Sequence, residues 1–226
     1  MNRKELFDRT IWCRISPFVV YVFFMLLTEL LVRFGWSAYE LQLLYVVKVS
    51  AVAVLLWVLR RAYVELYLPR GAGVMTWVVA VAAGAVVFVA WISLNAGWMG
   101  IGASAGFYPH GETGIDWMMV VIRLTGAVLV VPLMEELFWR SFLMRWIAKH
   151  DFLAVEPARV GFKALIISAV FFAFEHNLWL AGLLAGVVYS LLYMRSGTLW
   201  SPILAHAVTN MLLGAWVIYT GNWSYW

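Results

Sequence analysis

The sequence predicts an all-α protein, a polytopic transmembrane bundle of about seven spans with its N-terminus in the cytoplasm. Three observations lead there. Of 226 residues, 65% are hydrophobic and 12% charged, where soluble domains run at about 45–50% and about 25%. Apolar stretches close to the ~20 residues that cross a bilayer recur along the whole chain. Among the connections between those stretches, Lys and Arg fall in alternate ones, the bias that orients membrane proteins.

Taken in order, residues 1–16 (MNRKELFDRTIWCRIS) form a basic interfacial segment in which Cys13 is a passive interfacial thiol; a single cysteine excludes an internal disulfide. The following run, PFVVYVFFMLLTELLVRFG, is longer than a signal-peptide core and has no small-x-small site after it, so it is expected to remain as an anchor. Residues 17–94 hold three spans (17–34, 41–59, 74–94), whose charges Glu29, Arg33 and Lys48 lie near enough to helix ends to snorkel. A glycine-rich stretch, AGWMGIGASAGFYPHGETG, reads as a flexible external connection. Residues 118–219 then supply a four-span core at 118–144, 161–176, 178–194 and 199–219.

The N-terminus, the loop with Arg60, Arg61 and Arg70, the loop with Arg145, Lys149, Arg159 and Lys163, and the turn at Arg195 are basic, whereas 95–117 and the tail after 219 have no Lys or Arg. This places the chain as one integral domain, 1–226, in the cytoplasmic (inner) membrane. The formal charge of +4 is accounted for by these topology determinants, and nucleic-acid binding is discounted. The partners expected are the lipid bilayer and whatever reaches a site within it.

Such a site is suggested by ionisable groups in the second half. Glu135, Glu136 and Arg140 lie on the fourth span, Glu175 and His176 close the fifth, and His206 and Asn210 sit in the seventh. Each charge inside a span costs roughly 2.5–3.5 kcal/mol on insertion scales. At about 1.5 Å rise per residue, Glu135 lies roughly 15 Å from Arg145, His176 about 20 Å from Lys163 and His206 about 9 Å from Trp200. The three can therefore share one level, in a cavity expected to open to the cytoplasm.

Helical phase divides the glutamates. Glu136 and Arg140, four apart, share a face and suit an ion pair; Glu135, rotated by about 100°, lacks that partner and is left to face the cavity as a general base. His206 and Asn210, also four apart, project together and suit a developing oxyanion. Plainer readings stand beside these: an anchoring Glu-Arg pair, a surface turn at His176, and interhelical glue at His206 and Asn210. Pro132 is expected to kink the fourth span. Gly182 and Gly186 read as a small-xxx-small packing face.

EELFWR (135–140), FAFEH (172–176) and HAVTN (206–210), in this order inside apolar segments, resemble the CAAX prenyl protease and bacteriocin-processing family of intramembrane endopeptidases. The wording VVPLMEELFWRSFLMRW and SPILAHAVTN also resembles the subgroup associated with exosortase and PEP-CTERM sorting. The resemblance implies a glutamic-type protease without a cofactor, acting on a membrane-associated protein or peptide. In it Glu135 and His176 activate a water, His206 and Asn210 stabilise the oxyanion, Glu136 and Arg140 support the site, and Phe172 packs beneath His176. Glu175 falls outside the family pattern and is expected to point elsewhere. Two further readings stay open: a zinc protease with Glu135, His176 and His206 as ligands, and a non-catalytic peptide-binding or self-immunity protein.

Overall fold

The computed structural model describes residues 9–67, 72–102, 106–111 and 114–226; residues 1–8 of the expected interfacial segment, and Arg70, lie outside them. Among the described residues the chain forms helices α1 (Arg9–Arg33), α2 (Ala38–Leu59), α3 (Val74–Ser93), α4 (Trp117–Ala148), α5 (Phe162–Phe174), α6 (Trp179–Ser196) and α7 (Trp200–Thr220). Strand pairing among them is confined to His110–Gly111 against Gly114–Ile115, in the connection before α4. The protein is an all-α, multi-pass membrane bundle.

Six of these helices are long and apolar enough to cross a membrane; α5, with 13 residues, is not. Its length of roughly 20 Å falls short of a ~30 Å hydrocarbon core. The expected fifth span is thus a partial one. After Phe174 the chain turns, with the His176 amide bonded to the Ala173 carbonyl at 3.1 Å, so His176 lies within the protein rather than at a far surface.

The first helix also starts earlier than expected. Residues 9–16 belong to α1, and Cys13 is buried against Val52, Leu56 and Tyr63, with the Tyr63 hydroxyl donating to its carbonyl at 3.0 Å. It is a core residue, not an interfacial thiol. α2 begins at a capping box, in which the Ser37 hydroxyl accepts from the Glu40 amide and the Glu40 carboxylate accepts from the Ser37 amide at 2.7 Å. Lys48 does not snorkel: it is 8% exposed, with its ammonium 4.3 Å from the Tyr21 ring centre and 5.0 Å from that of Tyr45. Two aromatic faces there replace water.

The most informative departure from regular structure lies in α4, which widens to a π-helix at Gly126–Val130 and again at Leu137–Leu143. The first widening has a covalent cause. Pro132 has no N–H to return to the preceding turn, and the Val131 amide bonds to Gly126, five residues back. The π-type partner of the Ala127 carbonyl would be the nitrogen of Pro132, so that carbonyl is left open. In the second widening the Met144 amide reaches the Trp139 carbonyl, again five back.

Two ends of the bundle are tied differently. At the basic end, Arg14 on α1 is fully buried and its guanidinium bonds Glu65 at 2.8 and 2.5 Å. Glu65 also accepts from the Ser141 hydroxyl on α4 and lies 3.6 Å from Arg145, whose own guanidinium caps the carbonyls of Leu153 and Val155. At the opposite end, loop backbone closes the structure, with the Ile101 amide donating to the Asn177 carbonyl at 2.7 Å and that of Phe107 to Trp223 at 3.3 Å, and the Asn95 side-chain amide donates to the Tyr225 hydroxyl at 2.8 Å.

Burial pushes the Glu65 carboxyl up, but hydrogen bonds and charge from Arg14, with the Ser141 hydroxyl, prevail and hold it below its ordinary value of 4.5. A carboxyl depressed on folding contributes stability above its unfolded pKa and loses it as pH falls through the folded one. Wild-type protein in detergent should therefore lose thermal stability on acidification below pH 4.5, and Glu65→Gln should lack that component. Arg14→Leu, which strands a buried carboxylate, should cost roughly 3 kcal/mol at neutral pH, read by thermal unfolding.

Candidate active site

Because the Glu136 and Arg140 side chains stand one helical turn apart on the buried face of α4, they meet: Arg140 Nη1 donates to Glu136 Oε1 at 3.1 Å, with the two residues 1% and 0% exposed. The same Oε1 lies 3.0 Å from Nδ1 of His206 on α7. Arg140 also reaches the Gly186 carbonyl on α6 at 3.4 Å and stacks over Phe172 on α5, 4.3 Å from the ring centre. One ion pair therefore ties four helices together.

That arrangement leaves Glu135 as phase predicts. It is buried, its Oε2 has no hydrogen-bond partner, and that oxygen lies 4.0 Å from His206 Nε2. The imidazole of His206 thus stands between the two carboxylates. Its orientation is fixed by Tyr189, whose ring stacks on it at 5.0 Å and 21°. Tyr189 in turn donates to Thr209 at 2.7 Å, and Thr209 bonds the Gly84 carbonyl on α3 at 2.9 Å.

His176 is held by its own helix. Its Nδ1 is 2.8 Å from the Phe172 carbonyl; a carbonyl can only accept, so Nδ1 carries the proton and Nε2 is left with a lone pair. The Phe172 ring packs against the imidazole at 4.7 Å, and Trp91 meets it edge-on at 5.1 Å. This close approach requires Gly182 and Gly186 on α6. A β-carbon at Gly182 would sit 3.2 Å from Ala173 Cα and 3.3 Å from His176 Cβ, and one at Gly186 would sit 3.0 Å from Ala169 Cα. The small-residue face is therefore what brings α5 against α6.

Asn210 Nδ2 donates to the Ala127 carbonyl at 2.7 Å, the oxygen that Pro132 leaves open. The proline expected as a kink thus acts through hydrogen bonding: it creates the acceptor that orients Asn210 and leaves the second amide hydrogen free.

These residues line one cavity of about 210 Å³, which brings together Glu135, His176, His206 and Asn210 with Phe172, Tyr189 and Thr209. Two expectations need correction. Glu175 does not point elsewhere: it lines the same cavity and accepts from Trp139 Nε1 at 3.0 Å, because the helix has already ended and the chain is turning there. The cavity also does not extend toward the basic end. Its walls include Tyr45 and Arg123, early in α2 and α4, and Trp91 and Leu213, late in α3 and α7, so it runs away from the Arg14–Glu65–Arg145 cluster. Tyr189, Thr209 and Arg123 were missed in the sequence; only Arg123, a charge inside a span, carried a signal that could have found it. Among the described residues no three His, Cys, Asp or Glu side chains converge closely enough to hold a metal ion, so Glu135, His176 and His206 are not assembled as a ligand set.

Residues 117–212 match the family model described as type II CAAX prenyl endopeptidase Rce1-like. Over that segment the chain is similar to the Rce1-like CAAX protease family. The match begins with the first residue of α4 and ends within α7, so it contains Glu135, Glu136, Arg140, Phe172, His176, His206 and Asn210 together. No curated protein and no solved structure matches the chain. In this CAAX-protease-like chain, helices α1 to α3 lie outside the matched segment yet supply Tyr21, Tyr45 and Trp91 to the cavity.

The packing argument gives a direct check. Gly186→Val should force α5 and α6 apart, disturb the Arg140 contact to residue 186, and destabilise the protein by about 1–3 kcal/mol, measured as a lowered unfolding temperature in detergent; Ser190→Ala, one turn further along α6, should have a smaller effect.

Proposed function

We propose that the protein is an intramembrane endopeptidase that hydrolyses a peptide bond in a membrane-associated protein or peptide, with Glu135 and His176 sharing one water as general base. The observation that carries this reading is the fixed tautomer of His176, donating at Nδ1 to Phe172 and offering its Nε2 lone pair in a cavity that also holds the unpartnered Glu135 carboxylate. Two acceptors without donors invite a molecule that donates twice, and water does. As the water attacks the scissile carbonyl, its proton passes to this pair and then to the leaving amine.

The charge that develops on the carbonyl oxygen needs donors. An imidazolium at His206, with its Nδ1 proton facing Glu136 Oε1, would present its Nε2 hydrogen to the cavity. The free amide hydrogen of Asn210 supplies a second donor. Both are preorganised by partners that do not change during reaction, which makes them effective toward an oxyanion. The structural roles follow: Glu136 and Arg140 hold His206, and Phe172 holds both Arg140 and His176.

Comparative proteomics of membrane fractions from cells carrying wild-type or Glu135→Gln protein tests the reading. A peptide terminus present only with wild type supports it; identical termini, with the variant inserted and folded, would sink it in favour of a non-catalytic role. On the substrate so found, His176→Ala should lower kcat by about 10²–10⁴-fold and Asn210→Ala by about 10²–10³-fold.

A further inference from the structure

Charge distinguishes the two ends of the bundle, and the catalytic candidates are not equally close to both. Arg60, Arg61, Arg145, Lys149, Lys163 and Arg195 stand at one end, whereas the connections at the other, 34–37, 94–116, 175–178 and 221–226, carry no Lys or Arg. Arg33, the last residue of α1, does not offset that excess, and the bias that orients membrane proteins assigns the basic end to the cytoplasm. Levels along α3 then place His176. Trp91, which meets the imidazole at 5.1 Å, is two residues from the far end of α3 and seventeen from its basic end, about 26 Å at 1.5 Å per residue. The turn that carries His176 is tied to the loop at that far end, through the Ile101 amide on the Asn177 carbonyl at 2.7 Å and the Trp179 indole on the Trp98 carbonyl at 3.1 Å. Toward the basic end the way is shut. Between Glu135 and the Arg14–Glu65–Arg145 cluster, Phe18 stacks on Phe138 at 3.9 Å and meets Trp139 edge-on at 5.5 Å. On the basic side of His206, Leu137, Met144, Leu165, Leu199 and Ile203 belong to one buried apolar cluster.

We propose that the site is served from the non-cytoplasmic face of the membrane, so that the peptide it cleaves is a stretch of a membrane-anchored protein that has already been translocated. The proposal rests on the hydrolytic reading of Glu135 and His176 and adds to it the side on which the substrate must lie. A peptide bond presented from the cytoplasm would have to pass an ion cluster and then a closely packed apolar layer, which yields little without unfolding. One presented from the other face meets Trp91, Tyr225 and Trp226 on the cavity wall, aromatic side chains of the kind that gather where a chain leaves the bilayer. The same route supplies the water that hydrolysis consumes. Such rings offer apolar area together with an N–H or O–H, which suits a stretch next to its own membrane anchor better than a peptide free in solution.

Side-specific thiol modification tests this without turnover. A protein that binds a peptide without cleaving it would label in the same way, so the proteolytic reading can fail while this one stands. The probe is the membrane-impermeant cation trimethylammonioethyl methanethiosulfonate, applied to right-side-out and to inverted membrane vesicles carrying the full chain. Val131→Cys, one turn before Glu135, and Leu213→Cys report on the cavity wall. Ala96→Cys and Ala154→Cys, both at exposed positions, report on the two ends, and wild type, whose Cys13 is buried, sets the background. Both cavity thiols and that of Ala96→Cys should react at least about tenfold faster in right-side-out vesicles, since access controls the rate of thiol exchange; Ala154→Cys should show the reverse. Unfolding temperatures confirm that each variant is folded. Faster reaction of the cavity thiols in inverted vesicles, equal rates from both sides, no reaction at either cavity position, or exchanged sidedness of Ala96→Cys and Ala154→Cys would overturn the proposal.

Discussion

The pairing of Glu136 with Arg140 is the constraint on which the site depends. It neutralises two charges where neither would be tolerated alone, and it uses up the carboxylate nearest to the arginine. Everything else takes its position from that choice. Glu135, one residue earlier, is turned away from the guanidinium and keeps an open oxygen; His206 is held by the same Glu136 oxygen at 3.0 Å; Phe172 lies against the guanidinium face at 4.3 Å and carries His176 on its own carbonyl at 2.8 Å. The catalytic candidates come from three helices but are referred to a single ion pair.

Backbone chemistry completes what the charges begin. Pro132 removes one amide from α4, the helix widens, and the carbonyl of Ala127 becomes the anchor for Asn210. Glycines on α6 let the short α5 approach until its C-terminal turn, with Glu175 and His176, lies over the cavity. A full-length fifth span would carry His176 past this level. The truncation of α5 is therefore part of the site, as is the absence of side chains at positions 182 and 186.

Much of this was legible in the sequence, for identifiable reasons. Period-3.6 geometry separated Glu135 from Glu136 and joined Glu136 to Arg140 without any tertiary information, and the structure shows that separation. Charges and histidines inside apolar runs marked α4, α5 and α7 because such residues are costly there. What escaped was whatever depends on the partner rather than on the pattern. Lys48 looks like a snorkelling residue until Tyr21 and Tyr45 are folded onto it, and Cys13 looks interfacial until Tyr63 covers it. Tyr189 and Thr209 are ordinary in sequence and matter because of what they hold. The direction of the cavity was misjudged since depth along a helix says nothing about which end is packed shut; the Arg14–Glu65–Ser141–Arg145 cluster closes the basic end, and three of its members come from separate elements.

The central claim is that Glu135 and His176 act on one water and so function as a unit, within the framework of Glu136 and Arg140. Groups that act together are strongly non-additive. The most direct measurement is kcat/KM on one defined peptide substrate for wild type, Glu135→Gln, His176→Ala and the double variant. The account predicts that the double variant is no slower than the worse of the two single variants. If the two losses multiply instead, the residues contribute independently and the shared-water site is wrong.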